Sequence, residues 1–198
     1  MLNILNPCRL FIMGASGSGT TTLGRAIANE WAVPHADADD YFWRPTSPPY
    51  RDKRAPSERI SLMREVFLPR SAWVFSGSIM GWGEELVENI DAVVFLTLDP
   101  ASRMSRLEAR ETVRWRERAT TGRVEDAGRE EFLSWARGYD HPDFAGRNRD
   151  RHDQWLARLS CPVLRLDSSR PVDHLVHAVT SRSITDRSPT STATKMSG

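Results

Sequence analysis

A run of glycine and hydroxyl residues near the amino terminus has the spacing of a phosphate-binding loop. Gly14 and Gly19 fill the two glycine positions of the pattern G-x-x-x-x-G-K-[ST], and Thr21 fills its last hydroxyl position. Glycines there let backbone N–H groups turn toward an anion, and the following helix adds the positive end of its dipole. Thr20 stands where the pattern has lysine, so the loop keeps its backbone donors without the usual point charge.

The flanks of this loop decide between an anion-binding loop and a flexible Gly/Ser turn. An apolar run, 10–13, precedes it, and a helix-like segment, 23–28, follows it, as the strand–loop–helix arrangement requires. The hydroxyl of Thr21 is suited to ligate Mg²⁺. We therefore predict that the following residues bind the phosphate groups: Gly14, Ala15, Ser16, Gly17, Ser18, Gly19, Thr20, Thr21 and Thr22.

Two further short segments carry candidate chemistry at predicted strand ends. In the first, Asp37 is predicted to assist the metal shell, and Asp39 to contact or deprotonate an acceptor hydroxyl. The alternative is that Asp39 or Asp40 caps a helix. In the second, Gly77 and Ser78 are predicted to let the acceptor approach the backbone, although a turn needs such small residues anyway.

The arginines of the second half could compensate for the missing lysine. Four of them recur every three or four residues in a predicted helix, 101–118, and so share one face. We predict that Arg110 and Arg114 stabilise the transferred phosphoryl group, and Arg147 with Arg151 form a second candidate pair. The alternative is a solvated face paired with neighbouring acidic residues, namely Glu108, Glu111, Glu117, Asp150 and Asp153.

The elements that must position these residues alternate along the chain. Apolar runs predict strands at 10–13, near 36, at 72–75, 91–98 and 162–166, and helical periodicity predicts helices at 21–32, 57–68, 101–118, 129–138, 147–159 and 171–182. This alternation indicates a parallel α/β sandwich whose ligand binds at the carboxyl ends of the strands. The Pro-rich, basic segment 44–56 is expected to be an exposed loop, and the Ser/Thr/Pro-rich tail 184–198 to be disordered.

Composition excludes several classes of partner. The net charge is +1, and between positions 103 and 170 fifteen arginines are interspersed with twelve acidic residues, which argues against nucleic acid. No apolar stretch reaches the roughly 18 residues of a membrane span, and the first seven residues lack the features of a signal peptide. We expect a soluble cytoplasmic monomer or homodimer in which Cys8 and Cys161 are reduced, with a small-molecule acceptor and neither a nucleic-acid nor a membrane partner.

Together these motifs resemble the small P-loop kinases of the adenylate, shikimate and gluconate kinase type. The match consists of residues 14–25, Asp37 with Asp39, the strand exit 76–78 and the arginine-rich helix after the fourth strand. More narrowly, residues 14–23, 39–43, 77–78 and 81–83 resemble a bacterial branch whose members are labelled adenylate-kinase-like or AAA-type ATPases. The chain departs from the kinases at Thr20, and it lacks the glycine triplet that shikimate kinases have after strand three.

The resemblance implies a five-stranded parallel sheet in the order 2-3-1-4-5. It implies one domain over residues 1–183, with a lid and substrate cover at about 110–152. It also implies ATP and Mg²⁺ as cofactors and transfer of the γ-phosphoryl group to a small hydroxyl- or phosphate-bearing acceptor. The alternatives are a nucleotide-binding regulatory protein or a weak NTPase without phosphotransfer, and a protein that uses its arginines on nucleic acid.

Overall fold

A computed structural model describes residues 6–47, 49–119 and 127–181, without the side chains of 117–119 and 127. Five strands lie in these ranges: β1 (Arg9–Gly14), β2 (His35–Asp37), β3 (Trp73–Ser76), β4 (Ala92–Thr97) and β5 (Val163–Asp167). The α-helices are α1 (Thr20–Trp31), α2 (Ala38–Phe42), α3 (Pro56–Val66), α4 (Pro100–Ala119), α5 (Ala127–Arg137), α6 (Arg149–Ala157) and α7 (Val172–Thr180). Two 3₁₀ helices span Glu84–Asn89 and Gly138–Asp140.

The strands form one sheet in the order β2-β3-β1-β4-β5, and every pairing is parallel. Parallel neighbours need a crossover segment between them, and here helices and loops supply it. The predicted fold class and the strand order implied by the resemblance are both confirmed. Because β1 lies in the middle of the sheet, the glycine-rich loop that follows it also lies at the middle of the carboxyl edge.

Both faces of the sheet are buried, and alternate residues of each strand serve opposite faces. In β1, Leu10 and Ile12 pack with α1 and α7, whereas Phe11 and Met13 pack with residues of α2, α3 and α6. This division explains why the strands read as continuous apolar runs rather than as alternating patterns. The result is three layers with helices on both sides of the sheet.

Most predicted boundaries lie within two residues of the observed ones. The segment 44–56 is a loop, but Trp43 and Lys53 form an isolated antiparallel bridge across it, which folds the segment back on itself. Between the predicted helices 101–118 and 129–138 we also expected a loop at 120–128; residues 127 and 128 instead belong to α5, and 120–126 lie outside the described residues. The proposed domain end at 183 and the tail 184–198 also lie outside them. None of the helices in the described ranges is long and apolar enough to cross a membrane.

Candidate functional site

The glycine-rich loop has the backbone conformation of an anion cradle. Gly17 and Gly19 both have φ of 90°, in the left-handed region that side chains disfavour. A Cβ on Gly14 would lie 2.5 Å from the Oγ of Ser18 and 2.7 Å from the carbonyl oxygen of Leu96, so only glycine fits there. The hydroxyl of Ser18 is fully buried and has no hydrogen-bond partner among the described residues. The loop therefore suits a phosphate ligand, which would meet backbone donors at the start of α1.

All the predicted site residues except Arg151 line one cleft of about 1600 Å³ at the carboxyl edge of the sheet. The cleft brings together the whole loop from Gly14 to Thr22 with Asp37, Asp39, Gly77, Ser78, Arg110 and Arg114. Arg147 also lines it, whereas its predicted partner Arg151 does not. The rule that places ligands at the carboxyl ends of parallel strands thus explains where these residues meet.

Asp37 connects the loop to the neighbouring strands. Its Oδ2 accepts hydrogen bonds from the hydroxyl of Thr21 at 2.5 Å and from that of Ser76 at 3.1 Å. The Nε2 of His35 lies 2.9 Å from the Oγ of Ser76, and burial lowers the pKa of this imidazole. Thr21 and Asp37 therefore present two oxygen ligands side by side, as a Mg²⁺ site bound through phosphates requires.

The same carboxylate caps α2. Its Oδ1 accepts the backbone N–H of Asp39 at 3.0 Å, while Asp40 accepts the backbone N–H of Asp37 at 3.3 Å. The cap of this helix is therefore Asp37, and the alternative that Asp39 or Asp40 is the cap is wrong. This capping fixes Asp37 and leaves the side chain of Asp39 in the cleft.

Asp39 faces arginines across the cleft. Partial desolvation and the charge of Asp37 raise the pKa of this carboxyl, while Arg147, a hydrogen bond from Trp43, and Arg110 oppose the rise. The carboxylate is thus accessible to a ligand and lies within electrostatic reach of cations that suit phosphate. This is the environment of a residue that accepts a proton beside a phosphoryl group.

The arginines that were predicted to share one face of α4 have two different roles. Arg103 lies beneath the loop with its side chain 1% exposed, and donates to the carbonyl of Ser16 at 3.1 Å and to Asp140 at 2.7 Å. Arg110 and Arg114 line the cleft instead, and both donate to the buried carboxylate of Glu111, at 3.1 and 3.0 Å. Pairing with an acidic neighbour, the alternative considered for this face, therefore holds for both of them in this structure.

Arg147 reaches the loop from the segment before α6. Its Nη2 donates to the hydroxyl of Ser16 at 3.1 Å, and its guanidinium lies 5.2 Å from the centre of the Trp135 ring. Burial lowers the pKa of this group, and its buried Nε has no hydrogen-bond partner in the part of the chain that the structure describes. Among the described residues, no carboxylate lies within 4.0 Å of it.

Aromatic and basic side chains line one end of the cleft. Phe42, Trp43 and Trp82 follow β2 and β3, and Tyr50 and Lys53 come from the loop that was predicted only to be exposed. The Nζ of Lys53 lies 5.6 Å from the Trp43 ring centre, and the guanidinium of Arg114 lies 5.8 Å from the Tyr50 ring centre. This end therefore combines flat apolar surfaces with positive charge.

The opposite end is formed by the turn after β5. Ser168, Ser169, Arg170 and Pro171 line the cleft there, and Arg106 donates to the carbonyl of Ser168 at 3.1 Å. Five strands spaced about 4.8 Å apart put the two ends of this edge about 19 Å apart. The loop between β1 and α1 lies between them, so a ligand on either side can reach it.

Comparison with known proteins gives one relative that spans nearly the same chain. The uncharacterized protein YqaC of Bacillus subtilis is 35% identical over 170 residues, which cover 86% of this chain and 94% of YqaC. This chain belongs to the YqaC family. No family model matches the sequence.

Two further comparisons concern proteins of named activity. A cytidylate kinase of Methanocorpusculum labreanum is 30% identical over 114 residues, which cover 52% of this chain and 63% of that kinase. The crystal structure of shikimate kinase from Bacteroides thetaiotaomicron superposes with a TM-score of 0.50 at 19% identity, covering 87% of this chain and 95% of that one. This likeness shows that the YqaC-family chain has the P-loop kinase fold.

The sequence predictions missed two parts of the cleft in this family member, and they did not separate Arg103 from the cleft arginines. The turn 168–171 follows a predicted strand, so the strand-end rule already pointed to it. Arg103 was grouped with the cleft arginines, although its position four residues before buried Leu107 marks it as an inward residue. Nothing in the sequence indicated that Tyr50 and Lys53 return to the cleft, because the bridge to Trp43 is a tertiary contact.

Proposed function

We propose that the protein transfers the γ-phosphoryl group of ATP to a small hydroxyl- or phosphate-bearing acceptor, with Mg²⁺. The observation that carries this proposal is the convergence of the glycine-rich loop, Thr21 with Asp37, and Asp39 on one cleft. Sites for one small ligand usually have volumes of about 300–1000 Å³, so a cleft of about 1600 Å³ has room for a nucleotide and an acceptor. The need for ATP also supports the expected cytoplasmic location.

The loop and α1 bind the donor phosphates in this proposal. The left-handed glycines Gly17 and Gly19 turn successive N–H groups of residues 15–20 toward the ligand, and α1 contributes its N-terminal dipole. No atom lies within 4 Å of a Cβ placed on Gly19, so the backbone here borders open space. The nucleoside then extends toward the turn 168–171, where small hydroxyl side chains and backbone groups line the cleft.

Thr21 and Asp37 would hold Mg²⁺. Within the described residues no group of three or more His, Cys, Asp or Glu forms a metal site. Mg²⁺ in phosphotransferases takes only one or two protein oxygens, together with water and phosphate oxygens, so the hydroxyl and carboxylate present here fit it. When bound, the ion neutralises charge on the phosphate oxygens.

Asp39 is the residue that acts on the acceptor. A carboxylate with a raised pKa is a better proton acceptor at neutral pH, and it lies in the cleft beside the loop. For a hydroxyl acceptor, the oxygen attacks the γ-phosphorus as its proton passes to Asp39, the bond to the bridging oxygen breaks, and ADP leaves. Arg110 and Arg114 stabilise the charge on the transferred group once phosphate oxygens compete with Glu111 for them.

The aromatic end of the cleft favours an acceptor with a flat face and a negative group. Phe42, Trp43, Tyr50 and Trp82 offer ring surfaces, and Lys53 lies beside two of these rings with no described carboxylate within 4.0 Å. Stacking on such rings contributes about 0.5–1.5 kcal/mol beyond the area buried. An aromatic phosphate or carboxylate, including a nucleoside monophosphate, therefore fits this end better than an uncharged sugar.

The test is ATP binding by calorimetry with and without Mg²⁺, followed by a transfer screen over nucleoside monophosphates, sugars and sugar acids. We expect transfer with an anionic aromatic acceptor and a loss of about 10²- to 10⁴-fold in Asp39→Asn. Asp40→Asn is the matched control because Asp40 lies outside the cleft and asparagine can still accept the backbone N–H. Equal turnover by Asp39→Asn would remove Asp39 from the mechanism, and ATP binding without any transfer would favour the regulatory alternative.

A further inference from the structure

Thr20 leaves the phosphate loop without the cation that its pattern normally supplies. The candidates among the described residues are the arginines around the loop. Three of them already have an acidic partner, whereas Arg106 and Arg129 donate to the carbonyl of Ser168 and the hydroxyl of Thr112 rather than to the loop. Arg103 pairs with Asp140, and Arg110 and Arg114 share Glu111. A guanidinium paired with a carboxylate has to leave that partner before it can bind phosphate. These three arginines are therefore poor substitutes for a loop lysine, which is always available to the phosphate.

Arg147 differs from them in its surroundings. Its Nη2 donates to the hydroxyl of Ser16 inside the loop, and its buried Nε has no hydrogen-bond partner within the described ranges. Among the described residues no carboxylate lies within 4.0 Å of its guanidinium, which rests on the face of Trp135. A partly desolvated cation with unused donors at an anion cradle is the arrangement that a phosphate would complete.

The backbone that carries Arg147 is also fixed in place. The next residue, Asn148, is buried and donates through Nδ2 to the carbonyls of Pro142 and Phe144 at 3.0 and 3.1 Å. Its Oδ1 accepts the N–H of Arg151 at 2.8 Å and so caps α6. This capping orients the preceding residue toward the loop with little freedom left to lose on binding.

We propose that Arg147 takes the place of the missing loop lysine and binds the β- and γ-phosphate groups of the nucleotide. The inference rests on the nucleotide binding of the proposed function. It deepens that function by assigning the compensating charge to one residue. It also makes Thr20 and Arg147 two alternative positions for the same cation, so a lysine introduced at position 20 should substitute for the arginine.

The experiment measures ATP and ADP affinity by calorimetry, without Mg²⁺, for the wild type, Arg147→Gln, Thr20→Lys and the double variant. We expect Arg147→Gln to weaken both affinities by about 10- to 100-fold, the effect of losing a charged hydrogen bond. Adding Thr20→Lys should restore them to within about threefold. Arg151→Gln is the matched control, since Arg151 lies one turn further on and outside the cleft; we expect no change there.

Two results would overturn the inference while leaving the proposed function intact. One is wild-type affinity in Arg147→Gln, and the other is a weakened Arg147→Gln that Thr20→Lys does not restore. Thr20→Lys in the wild-type background keeps the test decisive even if Arg147→Gln folds poorly. Because Arg147 already supplies the cation, Thr20→Lys alone should change ATP affinity by less than about threefold. A tenfold gain in ATP affinity would contradict the proposal. A wild type that binds neither nucleotide would refute the proposed function and the inference together.

Discussion

Replacing Arg103 by methionine should destabilise the protein more than replacing any cleft arginine, although Arg103 contacts no ligand in the proposed mechanism. Its guanidinium is buried and donates to three acceptors on different segments: the carbonyls of Ser16 and Ala136, and the carboxylate of Asp140. These bonds connect the phosphate loop, the end of α5 and the following 3₁₀ turn to α4. Methionine fills most of the volume but removes the donor from all three acceptors.

The expected loss of folding stability in Arg103→Met follows from the type of interaction that is removed. Removing one partner of a buried ion pair costs about 3–5 kcal/mol, because the remaining charge stays desolvated. Asp140 is 20% exposed and has a second arginine, Arg149, at 3.4 Å, so part of that penalty is relieved. We therefore expect a loss of about 3 kcal/mol for Arg103→Met and of less than 1 kcal/mol for Arg106→Met, whose side chain donates to the carbonyl of Ser168 within the described part of the chain.

Urea denaturation at neutral pH measures this difference as a change in midpoint at constant slope. A double-mutant cycle with Asp140→Asn should give a coupling of at least about 1 kcal/mol, because each single change leaves the same pair broken. If Arg103→Met lowered the free energy of unfolding by less than 1 kcal/mol, or by no more than Arg106→Met does, Arg103 would not support the loop from below.

Three further results are expected. Gly17→Ala should weaken ATP binding and stability more than Gly19→Ala. Both glycines have φ of 90°, but only at Gly17 would a Cβ meet other atoms, at 2.8 Å. Calorimetry measures the ATP affinity of the two variants, and thermal unfolding measures their stability. Burial lowers the pKa of His152 to about 3, so the unfolded chain gains a proton near pH 6.5 while the folded one does not. Stability should fall by about 2 kcal/mol between pH 7 and pH 5, and His152→Gln should flatten this decline in urea titrations. Asp39→Asn should lower phosphoryl transfer and yet raise the melting temperature at pH 7. The raised pKa of this carboxyl means that its charged form destabilises the folded state. The gain in melting temperature should vanish below about pH 4, where the carboxyl is protonated in the folded and unfolded states.

The sheet and the loop were predictable because local patterns determine them. The apolar runs predicted four of the strands, a short second strand was expected after the first helix, and the order implied by the resemblance matches the structure. The loop residues were predictable from glycine spacing, and Asp37, Asp39, Gly77 and Ser78 from their positions at strand ends. In each case one physical rule is enough to place the residue. The rule is either the backbone freedom of glycine or the common edge at which parallel strands end.

Side-chain partners were much less predictable. Helical spacing placed Arg103, Arg110 and Arg114 on one face, but the packing of α4 against α5 and the loop decided which of them is buried. Spacing also offered Arg147 and Arg151 as equivalent, whereas the cap at Asn148 turns only the first toward the loop. These outcomes depend on contacts between segments distant in the sequence, which periodicity does not contain.

In the proposed function, the arrangement of charge around the loop would let a P-loop kinase fold work without its lysine. Glu111 is 7% exposed and accepts hydrogen bonds from Arg110 and Arg114. An incoming triphosphate offers these arginines more negative charge than a single carboxylate does, so we expect their bonds to move to it only when ligand arrives. Under the same proposal Arg147, which has no such competitor among the described residues, would supply the initial attraction for the phosphates. Binding and stabilisation of the transferred group are thereby assigned to different arginines, a division that a single loop lysine contacting both β- and γ-phosphates does not provide.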